Sequence, residues 1–251
     1  MARSLAWSRQ FHKPSAADNP TLLIFPHAGS GASTYRTFSK KLSETFDVVV
    51  FQYPGRQDRA REEAAETLPE LAHGALAEFS TSTFNRGGPI TIFGHSMGAI
   101  VAFEFVRAAE AAGLDVRLLT VSAAVAPDCV EAQPNHPASD DAILDHLETL
   151  NGTGAAVLGS REIMKMALPV IKKDYRAFDS YSCAAGVKVN ARIHTVGGDD
   201  DPFITIADLR GWSRHSDSGV DVTVFDGGHF YLNDNIDEIA ELLTPVRSTT
   251  A

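Results

Sequence analysis

Short apolar runs recur along the chain, each followed by a longer stretch with helical spacing. Thr21–Phe25, Asp47–Phe51, Ile90–Phe93, Leu118–Val125, Ala191–Val196 and Val220–Phe225 read as strands. Those in the first half of the chain are near-continuous apolar runs rather than alternating ones, which is the pattern of strands covered on both faces in a mostly parallel sheet. Between them, Tyr35–Phe46 reads as a helix. Another begins at Thr67-Leu-Pro-Glu70, where Thr and Glu three apart form a capping box with Pro inside the first turn. Met97–Ala112 is the longest and stops at Gly113, and Asp234–Val246 closes the series. The alternation predicts an α/β fold with helices on both sides of the sheet.

One region breaks the rhythm. From about Asp128 to Cys183 no strand pattern appears, and two helical stretches, Asp140–Leu150 and Arg161–Tyr181, flank Asn151-Gly-Thr-Gly154. The region reads either as an enlarged crossover or as a helical cap over the strand ends. Its position, after the strand that follows the Met97 helix, favours the cap. Residues 1–251 are thus expected to form a single domain with an insertion at about 128–183.

Composition narrows the class. The net charge of −10 and a pI near 5.3 argue against nucleic acid or an anionic membrane as the main partner. No run is long and apolar enough to span a bilayer, and the polar stretch Met1–Pro20 lacks the apolar centre of a signal peptide. Two cysteines, Cys129 and Cys183, supply neither a disulfide framework nor metal-ligand spacing. A cytoplasmic monomer is the expectation.

The chemistry concentrates at Gly94-His-Ser-Met-Gly98, which joins the strand Ile90–Phe93 directly to a helix. In that setting Gly-x-Ser-x-Gly is a nucleophile elbow: a sharp, strained turn that lifts the Ser96 hydroxyl above the strand ends and aims the Met97 amide at the same place. A serine needs a base, and the base needs an acid to fix its tautomer. In this chain order the acid follows the serine and the histidine comes last. His229, in a glycine-loosened loop after the last strand, fits the base. The acid falls in Gly197-Gly-Asp-Asp-Asp201, where Asp200 fits a Gly-x-x-Asp spacing from Gly197 and Asp201 the same spacing from Gly198. Asp200 is taken here, with Asp201 as the alternative. The loop Pro26-His-Ala-Gly-Ser-Gly31 follows the first core strand, and its small residues suit a second oxyanion donor at the Ala28 amide. His27 and His95 stand at the wrong chain positions for the base and read as packing or loop-fixing residues.

Phe25-Pro-His-Ala-Gly29, Gln52-Tyr-Pro-Gly-Arg56 with Arg59, the elbow, Gly197–Asp200 and Gly228-His-Phe-Tyr231 together resemble the type II thioesterases that serve nonribosomal peptide and polyketide synthetases. The words run in the family's order over about Leu22–Leu243. The resemblance implies an α/β-hydrolase fold with a helical lid at 128–183. It implies hydrolysis of acyl or aminoacyl groups from the phosphopantetheine arm of carrier domains, with Ser96 as nucleophile, His229 as base and Asp200 as acid. No metal or cofactor is then required within the chain. Gln57 departs from the family, which often has an acidic residue there. An acidic enzyme meeting an acidic carrier needs local basic contacts, and two sets qualify: Arg56, Arg59 and Arg61, or Lys172, Lys173 and Arg176. Met164, Met166, Leu168 and Phe178 read as core of the insertion rather than as an acyl channel. Two rival readings are a free-standing esterase on small diffusible esters and a noncatalytic ligand-binding protein on the same scaffold.

Overall fold

The structure, a computed structural model, describes residues 6–151 and 161–244. Among these residues seven strands form one sheet: β1 (Ser8–Arg9), β2 (Thr21–Phe25), β3 (Asp47–Phe51), β4 (Ile90–His95), β5 (Val116–Ser122), β6 (Arg192–Gly198) and β7 (Val220–Phe225). Their order is β1-β3-β2-β4-β5-β6-β7. Every pairing is parallel except that of β1, which runs antiparallel to β3. The helices are α1 (Arg36–Leu42), α2 (Leu68–Thr81), α3 (Met97–Ala111), α4 (Asp140–Asn151), α5 (Arg161–Asp179), α6 (Ile206–Gly211) and α7 (Ile236–Leu243).

The continuous apolar strands have the physical cause expected of them. Successive side chains point to opposite faces. Leu23 and Phe25 join Val49, Phe51 and Ile92 in a core with α2 and α3, whereas Leu22 and Ile24 join Val48 and Val50 in a second core with α1 and α7. Both faces are therefore dry, and β2, β3 and β4 are buried at every position. The outermost strand, β7, is only half-buried.

Local chemistry sets the ends. Thr67 Oγ1 accepts from the Glu70 amide at 3.3 Å, and Glu70 returns the bond to the Thr67 amide at 3.4 Å, so α2 begins where the capping box predicts. The predicted helix Tyr35–Phe46 is instead a 3-10 turn, Ala32–Tyr35, followed by α1 ending at Leu42. The predicted strand Leu118–Val125 starts earlier, at Val116, and stops at Ser122. Ala123, at φ +50°, turns the chain out of the sheet there. The expected helix Asp234–Val246 is shorter: α7 runs from Ile236 to Leu243, and Thr244 is already in extended backbone.

The insertion between β5 and β6 holds α4 and α5, near the predicted bounds. Ile143 and Leu144 of α4 pack on Leu168, Ile171 and Tyr175 of α5 as a small separate core. Lys172 of α5 forms an ion pair with Asp140 of α4. The glycine stretch Gly152–Gly154 lies outside the described residues.

Candidate active site

The strand order reverses around β2: β3 lies on one side of it and β4 on the other, so the loops after β2 and β4 leave in opposite directions and open a crevice. Both loops carry predicted site residues. Ser96 stands between β4 and α3 at φ +54°, ψ −125°, a strained conformation for a non-glycine residue. Its amide donates to the Ser122 carbonyl at 2.7 Å. The flanking glycines allow close backbone contact. A Cβ on Gly94 would lie 2.3 Å from the Gly98 carbonyl oxygen, and one on Gly98 would lie 2.1 Å from that of Phe25. Met97 is the first residue of α3, so its N–H has no acceptor within the helix.

The loop after β2 is tied down at several amides. His27 N donates to Tyr35 Oη at 3.3 Å, Gly29 N to Asp174 Oδ2 at 2.7 Å, Ser30 N to the His27 carbonyl at 3.2 Å and Ala32 N to Gln52 Oε1 at 2.6 Å. Among the described residues no protein group accepts from the Ala28 amide. Ala28, Ser96 and His229 line one cavity.

The carboxylate beside His229 is Asp201, not Asp200. Asp201 Oδ2 accepts from His229 Nδ1 at 2.7 Å, with the two side chains 0% and 5% exposed. Its Oδ1 accepts from the amides of Phe203 and Ile204. The shift of one residue has a clear origin. Strand β6 runs through Gly197 and Gly198, and its pairing continues as Asp199 N bonds the Phe225 carbonyl and Asp200 N the Gly227 carbonyl. The chain turns only after that, which leaves the Asp200 side chain in solvent.

Behind this pair lies a shell of rings. His95 Nδ1 and Ser122 Oγ are 2.8 Å apart, and Ser122 Oγ and Tyr231 Oη 2.7 Å. His27 Nδ1 and Tyr35 Oη are 2.8 Å apart. Phe230 packs against His27, His95 and His229 with ring centres 5.0–5.5 Å away. Burial, then the proximity of His229 and of Arg56, lowers the His27 pKa to about 3; burial, then His229 and His27, holds His95 well below the usual imidazole range. Both are neutral at pH 7. Neither abuts a carboxylate as His229 does, in keeping with the packing and loop-fixing reading. Ser122, Tyr35 and Tyr231 were not legible as part of this shell, because a buried hydroxyl leaves no spacing signal.

The cavity measures about 880 Å³. Its walls come from two sides: Ile171, Tyr175 and Phe178 of α5 with His146 of α4 on one, and Phe38 of α1 with Ile236 of α7 on the other. Phe178 thus lines the cavity rather than serving only as core. Leu168 is core, Met166 is exposed, and the Met164 side chain lies outside the described residues. Among the described residues no group of His, Cys, Asp and Glu is arranged to hold a metal ion, and no helix is long and apolar enough to cross a membrane.

Of the basic residues expected to face a partner, Arg56 and Arg59 are buried. Arg59 spans Glu62 and the Gln52 carbonyl and lies over the Trp7 ring; Arg56 pairs with Asp174. The polar run around them, Gln57-Asp-Arg-Ala-Arg61, gave no sign of this, since a basic cluster in sequence says nothing of internal partners. Gln57 bonds Ser33 Oγ at 2.6 Å and packs on Gly31. Arg61, Lys173 and Arg176 are exposed.

Comparison with known proteins finds relatives over nearly the whole chain. The chain is 40% identical over 240 residues to phenyloxazoline synthase MbtB of Mycobacterium tuberculosis (strain ATCC 25618 / H37Rv), covering 95% of this chain but only 16% of that protein's length. It is 38% identical over 251 residues to a probable cadicidin biosynthesis thioesterase of Streptomyces griseus, covering 98% of this chain and 68% of the other. The solved structure of BorB, the type II thioesterase from the borrelidin biosynthetic cluster, superposes with a TM-score of 0.84 at 38% identity, over 97% of this chain and 98% of that one. The family described as Thioesterase domain matches residues 20–246. With the elbow, the strand order and the His229 loop in place, this match makes the chain a member of the thioesterase domain family.

Proposed function

We propose that the protein is a serine thioesterase that hydrolyses acyl or aminoacyl thioesters carried on the phosphopantetheine arm of carrier domains in nonribosomal peptide or polyketide synthesis. The observation that carries this reading is the His229–Asp201 pair, buried beside the same cavity that the strained Ser96 lines. Ser96 Oγ attacks the thioester carbonyl as its proton passes to His229 Nε2. Asp201 holds Nδ1 protonated and stabilises the imidazolium. The carbonyl oxygen, now an anion, is held by the amides of Ala28 and Met97. The C–S bond breaks, the thiolate takes the proton from His229, and an acyl-serine remains. Water repeats the sequence with His229 as base and releases the acid.

A thioester is weakly resonance-stabilised and has a good leaving group, so this set suffices without a metal or cofactor. The pantetheine arrives with the substrate. Family membership and relatives named as biosynthesis thioesterases support the substrate class. Exposed Arg61, with Lys173 and Arg176 on α5, are the basic residues left for a carrier domain, and such docking is weak and salt-sensitive.

Mass spectrometry of an acyl-loaded carrier protein tests the reading. Wild type should strip the acyl group, and Ser96→Ala should slow this by several orders of magnitude. An N-acetylcysteamine thioester hydrolysed faster than the carrier-bound form at equal concentration would favour the small-ester reading instead. Failure of a fluorophosphonate to label Ser96 would favour a noncatalytic role.

A further inference from the structure

The loop that holds Ala28 is anchored from outside the sheet. Helix α5 presents Ile171 and Asp174, one turn apart on one face, to Gly29. Gly29 sits at φ +73°, and a Cβ there would lie 2.3 Å from Ile171 Cγ1, so only glycine admits the helix this closely. Asp174 Oδ2 accepts from the Gly29 amide at 2.7 Å and from Arg56 Nη1 at 2.8 Å, while Oδ1 accepts from Arg56 Nη2 at 2.8 Å. Arg56 Nη1 also donates to the Ser30 carbonyl at 3.3 Å, and the guanidinium lies over the Tyr53 ring. Both charged side chains are 4% exposed.

A buried ion pair of this kind is a poor way to gain stability, because desolvation offsets most of the attraction and an apolar pair often does as well. What it supplies is direction. With its N–H fixed on Asp174 and its carbonyl neighbour Ser30 fixed on Arg56, Gly29 cannot rotate, and the adjoining Ala28 peptide is constrained with it. We propose that Asp174 and Arg56 are positioning residues for the oxyanion hole: α5 sets the aim of the Ala28 amide through Gly29. The inference rests on the proposed role of Ala28. It makes the seating of the insertion and the competence of the nucleophile site a single variable. A role confined to holding the insertion down would show in stability alone.

The experiment pairs D174N, R56K and the double variant R56M/D174M with two readouts: kcat and KM on an acyl-N-acetylcysteamine, and the affinity of a trifluoromethyl ketone analogue, whose Ser96 adduct carries an oxyanion. Misaimed by a fraction of an ångström, the donor loses about ten- to a hundred-fold. Each variant should lose that factor in kcat and in ketone affinity together, with KM changed by less than about threefold. The double variant, free of a lone buried charge, should melt near wild type and still show both losses. If it folds and regains wild-type kcat and ketone affinity, or if R56K and D174N keep both within twofold, the positioning role is overturned. Wild type that neither hydrolyses the thioester nor binds the ketone would instead overturn the hydrolase reading on which the inference rests.

Discussion

Asp199, Asp200 and Asp201 are adjacent and chemically identical, yet each has a different task. Asp199 Oδ1 accepts from the Gly227 amide at 2.9 Å, Asp200 faces solvent, and Asp201 meets His229. Losing the charge at 201 removes the group that fixes the His229 tautomer, so D201N should lower kcat by about 10³- to 10⁴-fold. D200N should change it less than about threefold. Steady-state hydrolysis of one acyl thioester by both variants decides this, and equal effects would undo the assignment. The sequence spacing offered both aspartates and could not separate them. The separation depends on how far β6 pairs with β7, which is a property of two strands and not of one. Ser96 and His229 were legible for the opposite reason: glycines that allow close backbone approach mark the elbow in the chain itself.

Among the elements, β4 and α3 form the part most tightly specified by its neighbours. The first turn of α3 lies against the end of β2, where a Cβ on Gly98 would meet the carbonyl oxygens of both Phe25 and Pro26 within 2.6 Å. Neither backbone can move without disturbing the Ala28 loop. G98A should therefore cost about 3 kcal/mol, the upper range for overpacking, and abolish activity. G88A is the control: nothing lies within 4 Å of its Cβ, and its effect should stay within about 0.5 kcal/mol. Urea unfolding of the two variants measures the difference, and similar midpoints would contradict the close-packing account. The buried strands were readable because being apolar on both faces is an uncommon and informative pattern. Strand β1, of two residues, and α6, of six, are too short to carry a period, and they were missed. Arg56 looked like a surface cation because its partner lies 118 residues away.

For the whole molecule, neutrality of the inner histidines ties stability to pH. His95 and His27 have folded-state pKa values below the ordinary 6.5, so below that pH the unfolded chain binds protons that the folded chain does not. Stability is then full above about pH 6.5 and falls as pH drops, by about 1.4 kcal/mol per pH unit for each such imidazole. Denaturant unfolding at pH 7 and pH 5 should show the loss, and H95N should flatten it. A wild-type stability level across that interval would contradict it. The long reach of Arg56 bears on the modularity of such proteins. The insertion resembles an exchangeable part, with a small hydrophobic centre of its own. Yet it donates a carboxylate into the body, where a fixed guanidinium waits. A chimera that grafts a foreign segment between β5 and β6 without an acid matching Asp174 would strand that cation in a dry interior, so swapping substrate preference by transplantation requires the anchor to travel with the graft.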